Sequence, residues 1–380
     1  FGIGISRDIT GEYYSVIENI NNSGAVIYAV DVPSGINVDN GKVMNICVKA
    51  DYTITFGINK LGLLLYPANS FCGKIIIKNI GFLKDVIAEC TLRNNTKKYL
   101  DEDIKDILPL RKADSNKGTY KKLLIIAGND NMCGAAYLAA KAAYKLGCGL
   151  CNIFTSKSNV NTLHGLIPEA IVSFYDTASE KDDDIINKLD GIIKEHDAVI
   201  IGPGTGISDL QKKMIKKVLE YDIPKVVDAD AINNISLMDK HGINFSNVIF
   251  TPHLKELSRL IDKDVKYVKE NKDDAIKLFY EQYNGDNNEN VILVVKDART
   301  YISNNSECYI NLTGNHGLST GGSGDVLTGI VASLLCQGEV YYMAAVKGVY
   351  IHGTCADNYA KRSNAYSLIA SDIINELEHI

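Results

Sequence analysis

No apolar stretch in this 380-residue chain approaches the roughly 18 residues that a membrane-spanning helix needs. No signal peptide is visible at its start. Positive charge is not in excess. Forty Lys and Arg against 46 Asp and Glu leave a net charge of -6, which argues against a general nucleic-acid binder. The nine cysteines lack the spacing of a metal site. The one close pair, Cys148 and Cys151, has no second CxxC and no nearby His cluster, and it lies in an apolar run. Buried reduced thiols in a reducing cytoplasm fit it best. The Walker pattern GxxxxGK[ST] is missing, so the chain is not a P-loop protein. A dinucleotide fingerprint followed by an acidic residue is missing too, which removes the usual signature of hydride transfer on a Rossmann fold. There is no internal repeat and no low-complexity tract.

What is present is the composition of an ordinary globular protein, 46% hydrophobic and 23% charged. The length suits two domains. Near the start, an amphipathic helix over residues 11–22 precedes strands at 25–30, 52–56 and 74–78. This α/β pattern is too short for a whole doubly wound domain, so the first domain is expected to be only partly present. Over residues 83–116 charge and Asn rise and strand-like runs stop, which reads as a linker with a short helix near 101–108. From 117 to 380, strands at 122–127, 150–154, 198–201, 225–228, 248–251 and 291–296 alternate with helical patterns such as 135–146, 209–221 and 267–280. That alternation predicts a mostly parallel sheet covered on both faces, with ligands beyond the carboxyl ends of its strands.

Those ends are where the chemistry-bearing residues collect. Residues 128–134 form a Gly-bounded loop opening a helix at Ala135, which suits either a flat ligand or close helix packing. Ile201-Gly-Pro-Gly204-Thr-Gly fits equally a phosphate or ribose contact and a tight turn. Asp228 in Asp-Ala-Asp reads as structural. His253, directly after a strand and a Pro, reads as a ligand contact at the rim. Residues 296–300, Lys296 to Thr300, are placed to supply donors to a nucleotide phosphate. Around Thr320-Gly-Gly-Ser-Gly-Asp325, glycines lead into a helix expected from about Gly324. The N–H groups and dipole of such a helix suit an oxyanion. A carboxylate there repels phosphate, so Asp325 makes sense as a base that takes a substrate hydroxyl proton while the backbone holds developing charge. The alternative for Asp325 is a plain N-cap. Together the clusters point to a nucleotide enzyme; no single one does.

These residues resemble the NAD(P)H-hydrate dehydratases of the ribokinase-like superfamily. The match covers residues 117 to about 378 through Lys117-Gly-Thr-Tyr, Ala127-Gly with Gly134-Ala-Ala, Ile201-Gly-Pro-Gly, Asp228-Ala-Asp-Ala-Ile-Asn, Thr251-Pro-His, Lys296 to Thr300 and the segment ending at Asp325. Residues 1–82 resemble the carboxyl-terminal half of an NAD(P)H-hydrate epimerase domain, through Phe1-Gly-Ile-Gly-Ile-Ser-Arg, Val30-Asp-Val-Pro-Ser-Gly35 and Lys60-Leu-Gly-Leu. The resemblance implies a ribokinase-like three-layer α/β/α domain preceded by a partial Rossmann-like α/β domain.

It also implies a repair reaction, in which a hydrated NADH or NADPH is dehydrated at the expense of ADP or ATP with Mg2+. Asp325 would activate the hydrate hydroxyl, with Gly322 and Gly324 stabilising the transferring phosphoryl. Lys296, Asp297, Ala298, Arg299, Thr300 and Gly324 would hold the nucleotide, and Ala135, Gly204, His253 and Asp325 would contact the hydrate. In the epimerase part, Gly2, Ile3, Gly4, Ile5, Ser6, Arg7, Asp8 and Asp31 would contact substrate and Ser34 would serve a K+ ion. Where the family has Lys-Gly-Ala, this chain has Lys296-Asp-Ala298, which leaves that nucleotide contact open. The family's substrate loop preceding Phe1 is missing, so no epimerase activity is expected from this polypeptide. A homo-oligomer is expected. The rivals are a ribokinase-like kinase of a vitamin precursor, such as a hydroxymethylpyrimidine or hydroxyethylthiazole, and a catalytically dead nucleotide-binding protein.

Overall fold

The computed structural model describes residues 1–83, 85–86, 98–99, 107–111, 113–116, 118–130, 132–284 and 288–380. The chain divides into two units, Phe1–Thr96 and Lys97–Ile380.

In the first unit, β1 (Tyr28–Val30), β2 (Tyr52–Phe56) and β3 (Lys74–Lys78) form a parallel sheet in the order β1-β2-β3. The buried face of β2 carries Thr53 and Thr55 rather than aliphatics. Their hydroxyls are satisfied, one donating to the Cys72 carbonyl at 2.7 Å and the other to Asp31 at 3.2 Å, so burial costs little. The helix Glu12–Asn21 buries Ile17 against Ile9 and Val48.

In the second unit, ten strands among the described residues make one sheet. They are β4 (Lys98–Tyr99), β5 (Lys122–Ile126), β6 (Leu150–Ser156), β7 (Ile171–Tyr175), β8 (Ala198–Ile201), β9 (Lys225–Val227), β10 (Val248–Phe250), β11 (Val291–Val295), β12 (Tyr301–Ser303) and β13 (Cys308–Ile310). Their order is β4-β13-β12-β11-β10-β9-β8-β5-β6-β7. Every residue of β8 to β11 is buried, the mark of strands covered on both faces. Pairing is parallel except where β12 runs antiparallel to β11 and β13. The helices Cys133–Lys145, Ser323–Cys336, Tyr341–Arg362 and Ala370–Glu376 pack together as one layer. A second layer runs from Asp182–Ile193 through Asp209–Leu219 and Asp230–Ser236 to Leu254–Leu260 and Lys272–Tyr283. The fold is therefore the three-layer arrangement that the alternation predicted.

The differences have physical reasons. The helical pattern at 267–280 is two helices, Val265–Glu270 and Lys272–Tyr283, parted at Asn271. Asp264 starts the first by accepting from the Tyr267 amide at 2.6 Å, a local cap that periodicity alone does not reveal. β4, β12 and β13, of two or three residues each, and β7, at one edge of the sheet, lie outside the expected strands, β4 within the stretch expected as a linker. Most of the helix expected near 101–108, and Lys117, lie outside the described residues.

Candidate active site

The site grows from strand ends in the middle of the sheet. After β8 the chain turns through Gly202, whose φ of +122° and closeness to the Asp228 carbonyl exclude a side chain; a Cβ there would lie 1.9 Å from that oxygen. The turn brings Gly204 against Ala135, with a Cβ-to-Cβ approach of 3.1 Å for any added carbon. It also aims the Gly206 amide at Asp230, to which it donates at 2.8 Å. Between Asp228 and Asp230 sits Ala229 with φ +50° and ψ -117°. A residue with a Cβ held there is strained, and such strain persists where surrounding contacts over-determine it. The two acidic residues on either side of it have different partners, Lys296 and Thr328 for Asp228 and the Gly206 amide for Asp230.

Asp228 is 1% exposed. One oxygen accepts from the Lys296 ammonium at 2.7 Å and the other from the Thr328 hydroxyl at 2.8 Å. Lys296 reaches it because β10 and β11 stay paired beyond their ends: the Lys296 amide donates to the Pro252 carbonyl at 2.8 Å, bridging Lys296 to His253. Thr328 lies one turn beyond Gly324 and also donates to its carbonyl at 3.0 Å. Gly324 itself passes close to the Lys296 ammonium, 3.4 Å from where a Cβ would stand.

The helix Ser323–Cys336 starts from Gly322 in the left-handed region, φ +85°. Glycine adopts that conformation without penalty. No side chain caps this end; the Ser323 amide donates to the Thr320 carbonyl at 3.4 Å, which leaves the next amides of the first turn available to an anion beside Asp325. Asp325 is half-buried. Burial first, then the Asp228 and Asp230 carboxylates, push its carboxyl up to about 7, against the opposing pull of Lys296. Burial would lower the Lys296 ammonium, but Asp228, Glu256 and Asp325 outweigh that and raise it. The centre is thus an ammonium hydrogen-bonded to the Asp228 carboxylate, with the Asp325 carboxyl, poised near neutrality, within its electrostatic reach. Such an arrangement moves a proton at physiological pH.

The structure brings Gly322, Gly324, Asp325 and the Lys296 side chain together, with Ala135 and Gly204 in mutual contact at neighbouring strand ends. It separates Lys296 from the rest of its segment. Residues 297–300 form the turn between β11 and β12. Asp297 pairs with Lys272, Arg299 donates to the Leu312 carbonyl at 3.1 Å, and the Thr300 hydroxyl donates to the Asp297 carbonyl at 3.4 Å. The extra carboxylate of Lys296-Asp-Ala is therefore neutralised within the protein. His253 has a double character. Its Nδ1 accepts from the Lys255 and Glu256 amides at 3.1 and 3.2 Å, capping the helix Leu254–Leu260, while half of the side chain is exposed. Burial, then Lys296, lower its imidazole from the ordinary value, which favours the neutral form. Sequence reasoning did not single out Thr328 or the buried Glu256; it read Asp228 as structural, where it is buried and bonded to Lys296 and Thr328. The only signal was the spacing of Gly324 and Thr328 on one helix face.

In the first unit, Asp31 accepts from the Lys60 ammonium at 2.5 Å, the Phe56 amide at 3.1 Å and the Thr55 hydroxyl. Burial raises its carboxyl, but these donors together bring it below the ordinary value. The segment Gly2 to Asp8 is irregular and tied down where Asn37 donates to the Ile5 carbonyl at 3.2 Å. The Ser34 hydroxyl lies 2.7 Å from the Phe1 amino nitrogen.

Comparisons with known proteins agree along the whole chain. A family model described as NAD(P)H-hydrate dehydratase matches residues 123–379, and one described as YjeF-related protein N-terminus matches residues 1–62. The bifunctional NAD(P)H-hydrate repair enzyme Nnr of Coxiella burnetii is 35% identical over 377 residues, 99% of this chain and 73% of that protein. The crystal structure of an ADP/ATP-dependent NAD(P)H-hydrate dehydratase from Bacillus subtilis, crystallised with ATP and Mg2+, is 30% identical with a TM-score of 0.62, covering 72% of this chain and 92% of that one. A ribokinase-like superfamily protein from Enterococcus faecalis is 26% identical with a TM-score of 0.65, covering 75% and 95%.

Proposed function

The chain belongs to the NAD(P)H-hydrate dehydratase family, in the two-part form of the bifunctional repair enzymes, and from this we propose how its residues restore hydrated NADH or NADPH. The observation that carries the reading is Asp325, held near neutrality at an uncapped helix start and backed by the Lys296–Asp228 pair. Asp325 takes the proton of the hydrate hydroxyl as that oxygen bonds to the terminal phosphorus of ADP or ATP and the bond to the nucleotide's bridging oxygen breaks. Gly322 and Gly324 present amides to the charge that develops. The carbon–oxygen bond to the ring then breaks, phosphate leaves with that oxygen, and loss of a neighbouring ring proton restores the double bond. Ala135, Gly204 and the exposed side of His253 line the hydrate, and the turn of Asp297, Ala298, Arg299 and Thr300 takes the nucleotide by its backbone.

Mg2+ neutralises phosphate charge when bound. Among the described residues no group of three or more His, Cys, Asp or Glu is arranged to hold a metal, so phosphate oxygens would be its main ligands. For K+, Ser34 offers one hydroxyl oxygen, and no step is routed through that ion. We assign residues 1–82 to the epimerase-like part, 83–116 to the linker and 117–380 to the dehydratase part. Among the described residues no helix is long and apolar enough to cross a membrane; a cytoplasmic location and a homo-oligomer complete the proposal. No finding favours the vitamin-precursor kinase.

The test is purified chain with (S)-NADH hydrate, Mg2+ and ADP or ATP. The expected result is recovery of reduced-nicotinamide absorbance with one phosphate released per turnover. A stable phosphorylated organic product, without recovery, would overturn the reading in favour of a kinase.

A further inference from the structure

His352 is a buried histidine that the proton transfer above does not use. It sits in the middle of the helix Tyr341–Arg362, 7% exposed. Its Nε2 lies 3.2 Å from the hydroxyl of Ser323, which is itself buried and is the first residue of the helix that carries Asp325. Burial pushes the imidazole down to about 4, so it is neutral wherever the enzyme works. The same helix grips the other end of the glycine segment. Asp357 accepts from the Gly314 amide at 2.8 Å and from the Asn315 side chain at 2.9 Å. Gly353 lies against Thr313 so closely that a Cβ would stand 2.2 Å from its hydroxyl, and that hydroxyl donates to the Tyr350 carbonyl at 3.1 Å. One rigid helix therefore fixes residues 313–315 and residue 323. The intervening stretch runs between those two anchors, with Gly317 close to the Ala365 carbonyl and Gly322 close to Leu138 and Ala370.

From this geometry we propose that His352 is a positioning residue: through Ser323 it sets where the Gly322–Gly324 amides and Asp325 stand relative to the transferring phosphoryl. Serine at 323 is not a helix cap, since Gly322 occupies that place with no side-chain bond. Its hydroxyl is thus free to serve as a handle. A neutral imidazole can hold it without placing a second charge beside the phosphates, as a lysine or arginine would. The proposal rests on the dehydratase reading for its kinetic consequence but not for its structural one.

Two variants and two readouts test it. His352→Phe keeps a planar ring and removes the bond; Ser323→Ala removes the same bond from the other side with one atom deleted. A displacement on the order of 1 Å at reacting groups lowers turnover about 100-fold. Each variant should lower kcat 30- to 100-fold, with KM for hydrate and nucleotide unchanged within about threefold. The double variant should lose no more than either single one, and His352→Gln, which keeps a nitrogen at the Nε2 reach, should recover most of the rate. Amide hydrogen exchange over residues 318–330 reads the anchor without turnover and should speed up in both variants while β8 to β11 stay protected. Unchanged kcat with unchanged local exchange would overturn the proposal, as would additive losses in the double variant. A wild-type chain without dehydratase activity, but with the same local exchange response, would sink the dehydratase reading and leave the anchor standing.

Discussion

Asp325→Asn is expected to abolish dehydration, lowering kcat by at least about 1,000-fold, while nucleotide binding persists. The substitution keeps the shape of the first helical turn and removes the group that takes the proton, and general-base catalysis contributes up to about 10,000-fold. A second consequence follows from the raised carboxyl. In the folded protein Asp325 titrates near 7 rather than its ordinary 3.8, so the native state binds that proton more tightly than the unfolded chain does. Stability therefore falls as pH rises from about 4 to about 7, and the full penalty persists above 7. Asparagine removes the penalty. The variant should be more stable than wild type at pH 8, by about 2 kcal/mol once access of water to the half-buried carboxyl is allowed for, and equal to it at pH 4. Urea unfolding at both pH values measures this. In the wild type, kcat/KM should rise with pH through an acid limb near 7. An Asp325→Asn enzyme that keeps that limb and its rate would show that the base lies elsewhere.

Lys296→Met is expected to cost about 3–5 kcal/mol of stability at neutral pH, more than most single substitutions. It leaves Asp228, 1% exposed, with the Thr328 hydroxyl as its remaining side-chain donor. Pairing the change with Asp228→Asn should return most of the lost stability, because a neutral pair replaces an ionic one. Activity should not return with it, since the ammonium beside Gly324 and Asp325 is gone. Additive unfolding free energies in the double variant would contradict the pairing.

Much of this architecture can be read from the chain because burial on both faces writes β8, β10 and β11 as unbroken apolar runs, and because glycines crowd the turn before Asp325. The fold class and the family follow from those features. Other parts are illegible for equally physical reasons. β12 and β13 have three residues each and lie beside a polar turn, too short to register a period. The partners of Asp228 stand 68 and 100 residues away, and nothing local distinguishes a buried carboxylate from a helix cap. His253 shows the converse. Its place after a strand and Pro suggested ligand contact, yet one of its ring nitrogens is committed to capping a helix. Only the other side of the ring remains for substrate.

In the proposed reaction the hydroxyl of the hydrate is phosphorylated and leaves as phosphate. The most direct test follows that oxygen. NADH hydrate prepared in 18O-labelled water carries the label on the ring hydroxyl, and mass analysis of the phosphate released after one turnover with ATP shows where it goes. The account predicts one labelled oxygen in each phosphate and unlabelled solvent. Label appearing in water, with unlabelled phosphate, would mean that the nucleotide is hydrolysed beside a direct dehydration and would contradict the assigned role of Asp325.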